Sequence, residues 1–306
     1  MKYTVGIVTY ERPESIAETL DSLTRQTRPP EEVIVVDDSP GEDTAESVEE
    51  FRDAFDGIGT DLTYLHRVDS RSMPGGRNEI IDRAVGNVIC FIDDDVVCTD
   101  TWLASISECY DQRDPAGVCG PAIRTDGDLE PTDERTTEQS NQNTVNGYGD
   151  VTEISHKWVP PEPVETEVAR GANMSFKTEF LECLGGFDVD YQGPAIFEEW
   201  DLMTRLRQAG GKLVYHPGAL LYHFEAPEGG ARSDDGVSLP PSYWYAKNSL
   251  LFRKNNFPDA YRRSLARIAF RGTDQLPPVW RRIASIVAFD TSQYYWLKGY
   301  WDGVSQ

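Results

Sequence analysis

Residues 87–95 read NVICFIDDD. The stretch 88–92 is a short apolar, β-prone run, the pattern of a strand buried on both faces. Asp93, Asp94 and Asp95 follow it without a break. Three adjacent carboxylates repel one another, so either water or a positive charge must surround them. Ligands in open α/β sheets bind off the carboxyl ends of such strands. Composition alone weakens the triplet as a sign. With 52 Asp+Glu against 29 Lys+Arg, and a net charge of -23, acidic triplets arise by chance. Its position at the end of a buried strand is the stronger argument.

The surrounding sequence alternates. Residues 3–10 (YTVGIVTY), 31–39 (EEVIVVDDS), 61–68 (DLTYLHRV), 87–95 and 116–123 have strand character. Between them lie helical stretches: one opened by Pro13, then 42–55, 75–85 and about 100–112. This rhythm predicts a mostly parallel sheet with right-handed crossovers. Residues 124–166 are polar, aperiodic and rich in Thr, Asn, Glu and Pro, the pattern of a variable loop or flap. Order returns at 170–177 (RGANMSFK), with helices expected near 178–184 and 199–209 and a strand over 212–223. Residues 242–306 read as helical. No GxGxxG, Walker A or GxSxG motif is present.

The 306 residues allow one large domain or two small ones. Acidic residues spread along the chain, with few lysines, suit a cytoplasm of molar salt and argue against nucleic acid as a partner. Self-repulsion should then destabilise the fold in dilute buffer, because the Debye length grows from ~3 Å at 1 M to ~30 Å at 0.01 M. The melting temperature is expected to climb steeply with KCl; a flat profile up to molar salt would remove the halophilic reading. The five cysteines are odd in number and lack CxxC spacing, as expected of reduced thiols in a cytoplasmic protein. No signal-peptide pattern precedes YTVGIVTY, and no stretch reaches ~18 apolar residues.

A second apolar strand also ends in carboxylates, at Asp37 and Asp38. Parallel strands present their carboxyl ends along one edge, so the two clusters converge on one cleft. Such a cleft suits a hard divalent cation shared with substrate phosphates. TYERP (9–13), VIVVDDSP (33–40), GGRNEII (75–81), FIDDD (91–95), GANMSFK (171–177), GGFD (185–188) and EEWDLMTRLRQAGG (198–211) occur in the order seen in family 2 glycosyltransferases. The chain resembles that family over residues 3 to about 255.

The resemblance implies an α/β, GT-A-type fold: a mostly parallel central sheet flanked by helices, with a C-terminal helical extension. It divides the chain into a catalytic domain, 1–255, and a helical extension, 256–306. Within the domain, 1–120 is the nucleotide-binding half, 124–166 the variable loop and 167–255 the acceptor half. It assigns Thr9, Glu11, Arg12, Asp37, Asp38, Arg77, Asn78 and Asp93 to the donor nucleotide. An acceptor-only carboxylate at Asp37 or Asp38 suits a uracil N–H or a ribose hydroxyl. Asp93 and Asp95 match the DxD motif that holds Mn2+ or Mg2+, with His223 as a further ligand. Asp94 is expected to be a solvated neighbour or a support for these two. Glu198, Glu199 and Asp201 match the acidic segment that carries the base. Alignment places the base at Glu199, where the family usually has Asp, so Asp201 stays open as the alternative.

The implied reaction is inverting transfer of a hexose or hexuronic acid, with a UDP-sugar as the expected donor. Similarity to haloarchaeal enzymes of lipid-linked N-glycan assembly points to a dolichol-phosphate-linked glycan acceptor, used in N-glycosylation of surface proteins. The expected location is the cytoplasm, peripheral on the cytoplasmic membrane face. Residues 253–306 hold nine Lys+Arg and four Asp+Glu, a net of +5, against -28 for residues 1–252. In 259–271, Tyr261, Leu265, Ile268 and Ala269 share one helical face and Arg263, Arg267 and Arg271 another. With the aromatic run 294–301, these helices read either as packed on the catalytic domain through arginine–acid pairs or as lying on a membrane surface. Two rivals stand beside the transferase. A sugar-nucleotide nucleotidyltransferase would need a Gly-rich loop that TYERPES lacks. A noncatalytic nucleotide-sugar binder would not need the acidic segment at 198–201.

Overall fold

The computed structural model describes residues 1–67, 72–125, 143–152, 157–224, 226, 229–230, 239–272, 278–287 and 292–305. Of the expected variable loop 124–166, residues 126–142 and 153–156 lie outside them. An eight-stranded sheet forms the centre. Its strands are β1 (Tyr3–Thr9), β2 (Glu32–Asp37), β3 (Asp61–His66), β4 (Val88–Ile92), β6 (Gly117–Cys119), β8 (Val164–Thr166), β9 (Asn173–Lys177) and β10 (Leu213–Tyr215). Their order is β3-β2-β1-β4-β9-β6-β10-β8. The first four are parallel; β9 runs antiparallel to both β4 and β6, and β8 antiparallel to β10.

Both faces of the sheet are covered, which explains the continuous apolar runs. In β2, Val33 and Val35 enter one core with Leu20 of α1 (Pro13–Thr24), while Ile34 and Val36 enter the other with Ile80 of α4 (Met73–Arg83). The helix expected over 42–55 is two, α2 (Asp43–Glu49) and α3 (Arg52–Ile58). Helices α5 (Trp102–Arg113), α6 (Thr178–Leu184) and α7 (Glu198–Gln208) stand near their expected places. All five cysteines are free, and only Cys183 among them is exposed.

Two stretches expected as single strands, 116–123 and 212–223, each split between two sheets, and the chain beyond the expected strand 87–95 crosses between them as well. Beyond Asp95 the chain continues as β5 (Val96–Cys98); beyond Gly120-Pro121 as β7 (Ala122–Arg124); beyond Pro217-Gly218 as β11 (Leu221–His223). These form a separate sheet, β5-β11-β7. Gly120 marks the fold line: a Cβ there would lie 1.9 Å from the Ala219 carbonyl oxygen, so only glycine lets the two crossovers touch. Asn173 knits the same seam, its Nδ2 donating to Pro121 O at 2.9 Å and Ala219 O at 2.7 Å. The acid triplet occupies the equivalent seam between β4 and β5. It therefore sits in the joint between the sheets rather than on a solvated face.

The C-terminal region is helical: α8 (Pro241–Asn256), a 3-10 turn at Pro258–Ala260, α9 (Tyr261–Phe270), α10 (Val279–Val287) and α11 (Ser292–Ser305). The expected boundary near 255 falls at the end of α8. Ala246 and Leu250 of α8, Ile268 of α9 and Trp296 of α11 bury one another in a small core. Gly299 permits the close crossing, since a Cβ there would meet Tyr243 O at 2.2 Å. Arg267 pairs with Asp150 at 3.1 Å and lies over the Tyr148 ring. Buried Arg253 pairs with the same carboxylate at 3.1 Å. Helix α9 thus turns its apolar face and Arg267 to the protein, the packed one of the two arrangements weighed for it. No helix among the described residues is long and apolar enough to cross a membrane.

Candidate active site

The ends of β1, β2 and β4 and the first turn of α7 converge. Thr9 and Asp37 are register partners at the ends of β1 and β2. Asp37 is buried; it accepts from Ser39 N at 2.9 Å and from Tyr64 Oη at 2.6 Å. Asp38 is also buried, gripped by Arg67 Nε at 2.7 Å and Nη2 at 2.6 Å, and by Ser72 N at 2.9 Å. Ser72 in turn caps α4 by accepting from Gly75 N at 3.1 Å. Asp38 therefore ties β2 to the start of the helix carrying Arg77. Glu11 is exposed, with a left-handed φ of 51°, and its backbone N–H donates to Ser39 Oγ at 2.7 Å.

The acid triplet divides its work. Asp94 is buried and accepts from Thr9 Oγ1 at 2.7 Å and Arg12 Nη1 at 2.7 Å. Burial pushes its carboxyl up to about 6, against the pull of Arg12. Of the two expectations for Asp94, solvated neighbour or support, its burial and bonds fit the support. Asp95 accepts from Arg12 Nη1 at 2.8 Å and Ala226 N at 3.0 Å, and faces His223 Nε2 at 2.9 Å. Burial would raise its carboxyl, but His223 and Arg12 bring it below the usual range. Asp93 stays about a quarter exposed, with His223 Nε2 at 3.9 Å. One ligand atom from each of Asp93, Asp95 and His223 falls within a 4.8 Å cluster. Two carboxylate oxygens and an imidazole nitrogen are a donor set that fits Mn2+ or Mg2+, with nitrogen favouring Mn2+. Arg12, assigned by the resemblance to the donor nucleotide, bridges Asp94 and Asp95 beside this cluster.

Arg77 joins the triplet to α7. It is buried, pairs with Glu198, lies 3.6 Å from Asp93 and donates to Gly171 O at 3.3 Å. Burial lowers its pKa, against the neighbouring acids. Asn78, expected beside the nucleotide, is used elsewhere: its Nδ2 donates to Phe187 O and its Oδ1 accepts from Phe187 N, both at 2.8 Å. It holds the loop before α7, and Arg77 lies over the Phe187 ring.

The turn into α7 is strained. Ala195 and Phe197 have φ of 51° and 83°, values that non-glycine residues rarely hold. The Phe197 ring is fully buried among Trp200, Tyr245 and Phe252, which fixes this geometry. The three acids of the first turn then meet different fates. Glu198 is buried as the counterion of Arg77. Asp201 is buried and accepts from Arg205 Nε at 2.7 Å, Asn256 Nδ2 at 2.6 Å and Tyr191 Oη at 3.2 Å. Glu199 is half-buried and takes no ion-pair partner within 4 Å among the described residues. Its carboxyl is raised, chiefly by burial and further by Asp93, against Arg77.

The profile of Glycosyl transferase family 2 matches residues 4–173. That is more than half of the chain and takes in the ends of β1, β2 and β4 and the acid triplet. The chain is a family 2 glycosyltransferase. It is 25% identical over 244 residues to the glucosyl-dolichyl phosphate glucuronosyltransferase of Haloferax volcanii, covering 73% of this chain and 69% of that one. It is 27% identical over 227 residues to the succinoglycan biosynthesis protein ExoM of Rhizobium meliloti, covering 73% and 67%. Among solved structures, S. aureus TarS 1–349 with UDP-GlcNAc superposes with a TM-score of 0.63 at 17% identity, over 98% of this chain and 79% of that one. The Pyrobaculum calidifontis mannosyltransferase PcManGT with GDP-Man and Mn2+ gives 0.57 at 18%, over 99% and 87%. The fold is that of GT-A glycosyltransferases, as expected.

Arg67 escaped the sequence reading, although it follows β3 and faces the Asp38 that the reading singled out. The partners of Asp201 escaped it too, because Tyr191 and Asn256 lie ten and 55 residues away. Asp201→Asn should cost about 2 kcal/mol, because it disturbs a buried bond to a charged group. At ~2.1 cal/mol/K per residue, that lowers the Tm of this glycosyltransferase by about 3 °C. Turnover per folded molecule should stay near normal. A variant with an unchanged Tm and no activity would instead make Asp201 the base.

Proposed function

We propose that this glycosyltransferase moves a hexose or hexuronic acid, with inversion, from a UDP-sugar to a lipid-linked glycan. The observation that carries the reading is Glu199. It is the one carboxylate of the acidic first turn without an ion-pair or side-chain partner among the described residues, and it lies near Asp93. Burial makes it a stronger base than an exposed glutamate, as proton abstraction near neutral pH requires. Glu199 accepts the proton of the acceptor hydroxyl. That oxygen bonds to the anomeric carbon while the bond to the nucleoside diphosphate breaks on the opposite face.

Asp93, Asp95 and His223 are the residues that would hold Mn2+ or Mg2+. When bound, the ion supplies Lewis-acid stabilisation of the departing diphosphate. Arg12 and Arg77 keep the acidic groups of the cleft in place. Asp37 and Asp38 shape the nucleoside side of the edge from within, through Tyr64 and Arg67. The relative from Haloferax volcanii, whose name specifies a dolichyl phosphate acceptor and a glucuronosyl group, supports a lipid-linked acceptor and a hexuronic acid. The dispersed acidic charge supports a halophilic setting and, with that relative, a role in N-glycosylation of surface proteins.

A thermal-shift panel tests the donor assignment. UDP-sugars with Mn2+ should raise the Tm more than GDP- or dTDP-sugars, and EDTA should erase the shift. A larger, metal-independent shift with a GDP-sugar would overturn both the nucleotide and the metal.

A further inference from the structure

Ten large hydrophobic side chains are exposed among the described residues, and seven of them lie between Phe270 and Val304. Phe270 is 77% exposed, Trp301 71%, Trp280 53% and Tyr294 53%. They are not the consequence of an unpacked tail. On α11 the opposite side, with Trp296, Gly299 and Gly303, is seated against α8. Tyr294 and Trp301, seven residues apart, share the outward side. On α10, Trp280 and Ile283, three apart, do the same. A helix pair held in water ordinarily turns charge outward at such positions. Here the outward side carries aromatic and branched apolar groups, with the Arg281 guanidinium lying over the Trp280 ring.

Charge selects the occupant. Residues 253–306 carry +5 while residues 1–252 carry -28; Arg253 and Arg267 are spent on Asp150, and the exposed arginines of this end among the described residues are Arg262, Arg263, Arg271 and Arg281. A twofold pair of chains meeting through this end would set one basic surface against the other. An anionic lipid surface attracts this end and repels the rest of the molecule, which orients the chain with α10 and α11 toward the lipid. Mixed Trp, Tyr and Arg is also the composition that settles at headgroup depth. We propose that the outward side of α10 and α11 is a foot that seats the enzyme on an anionic bilayer, with α9 serving as a strut packed on the catalytic domain. In molar salt, attraction reaches only ~3 Å, so insertion of Trp280 and Trp301 supplies most of the binding.

The test is flotation of the full chain with phosphatidylglycerol vesicles, and with phosphatidylcholine vesicles, in molar KCl. The inference does not rest on sugar transfer, because no donor or acceptor is present. Wild type should float with the anionic vesicles. The double variant Trp280→Ser, Trp301→Ser should lose most of the bound fraction at an unchanged Tm, since both side chains are exposed. Three results overturn the foot: no flotation of the wild type with anionic vesicles; flotation undiminished in the double variant; or a wild-type dimer in light scattering that the double variant converts to monomer, which would make this side an interface between copies.

Discussion

Glu199→Gln is expected to lower kcat by about 10²–10⁴, the usual worth of a general base. The substitution keeps side-chain length and hydrogen-bonding capacity and removes only the basic carboxylate. No ion pair is broken, because Glu199 takes no cation within 4 Å among the described residues, so Tm and donor affinity should stay near wild type. The loss should therefore appear in kcat and not as unfolding. The pH profile follows from the same environment. Burial raises the Glu199 carboxyl above the usual glutamate range, so the base is lost by protonation as pH falls through that raised value. The acid limb of kcat should lie above the pH at which an exposed glutamate titrates and should vanish in the glutamine variant. Normal turnover in Glu199→Gln, with the loss found in Asp201→Asn, would exchange the two roles.

Asp95→Ala should abolish both transfer and Mn2+ binding. A bound divalent ion is worth several kcal/mol of transition-state charge stabilisation, which corresponds to a loss of about 10³-fold or more. Asp95 also satisfies Arg12, Ala226 N and His223, so removing it leaves the half-buried Arg12 guanidinium with Asp94 as its remaining counterion. Part of the effect will be lower stability, below the ~3–5 kcal/mol of a fully broken buried pair because Asp94 still compensates Arg12. Asp93→Asn separates the two effects. Asp93 is partly exposed, and its Arg77 and His223 neighbours lie at 3.6 and 3.9 Å, so little folding energy is at stake. It should keep the Tm and still lose most of its Mn2+ affinity, read by the electron paramagnetic resonance signal of free Mn2+. Unchanged affinity in both variants would move the metal elsewhere.

The sheet edge at the ends of β1, β2 and β4 was legible because its signals are local. β1, β2 and β4 are buried on both faces, so their apolar runs and the acids that end them stand out in the chain. The splits at Gly120-Pro121 and Pro217-Gly218 were not legible as changes of sheet. Each run stays apolar across the break, and only the close approach of the two crossovers bends them. The same holds for helix 42–55, which divides at Glu50-Phe51 with no proline or glycine to announce it. At the site, residue type could not distinguish Glu198, Glu199 and Asp201. Their roles differ through contacts distant in sequence: Arg77 for the first, Tyr191 and Asn256 for the last. For Asp94 the sequence left a solvated neighbour and a support side by side, because Thr9 and Arg12 reach it from 85 and 82 residues away. The amphipathic pattern of α9 was visible, but a pattern does not say whether protein or lipid covers it; Asp150, in the variable segment, decided that.

The most direct test of the metal-dependent transfer is acceptor-dependent release of UDP from a UDP-sugar. It would be followed with Mn2+, then with excess EDTA, then after Mn2+ is restored. Release should stop in EDTA and return with the metal. Release that continues undiminished in EDTA would contradict the role given to Asp93, Asp95 and His223.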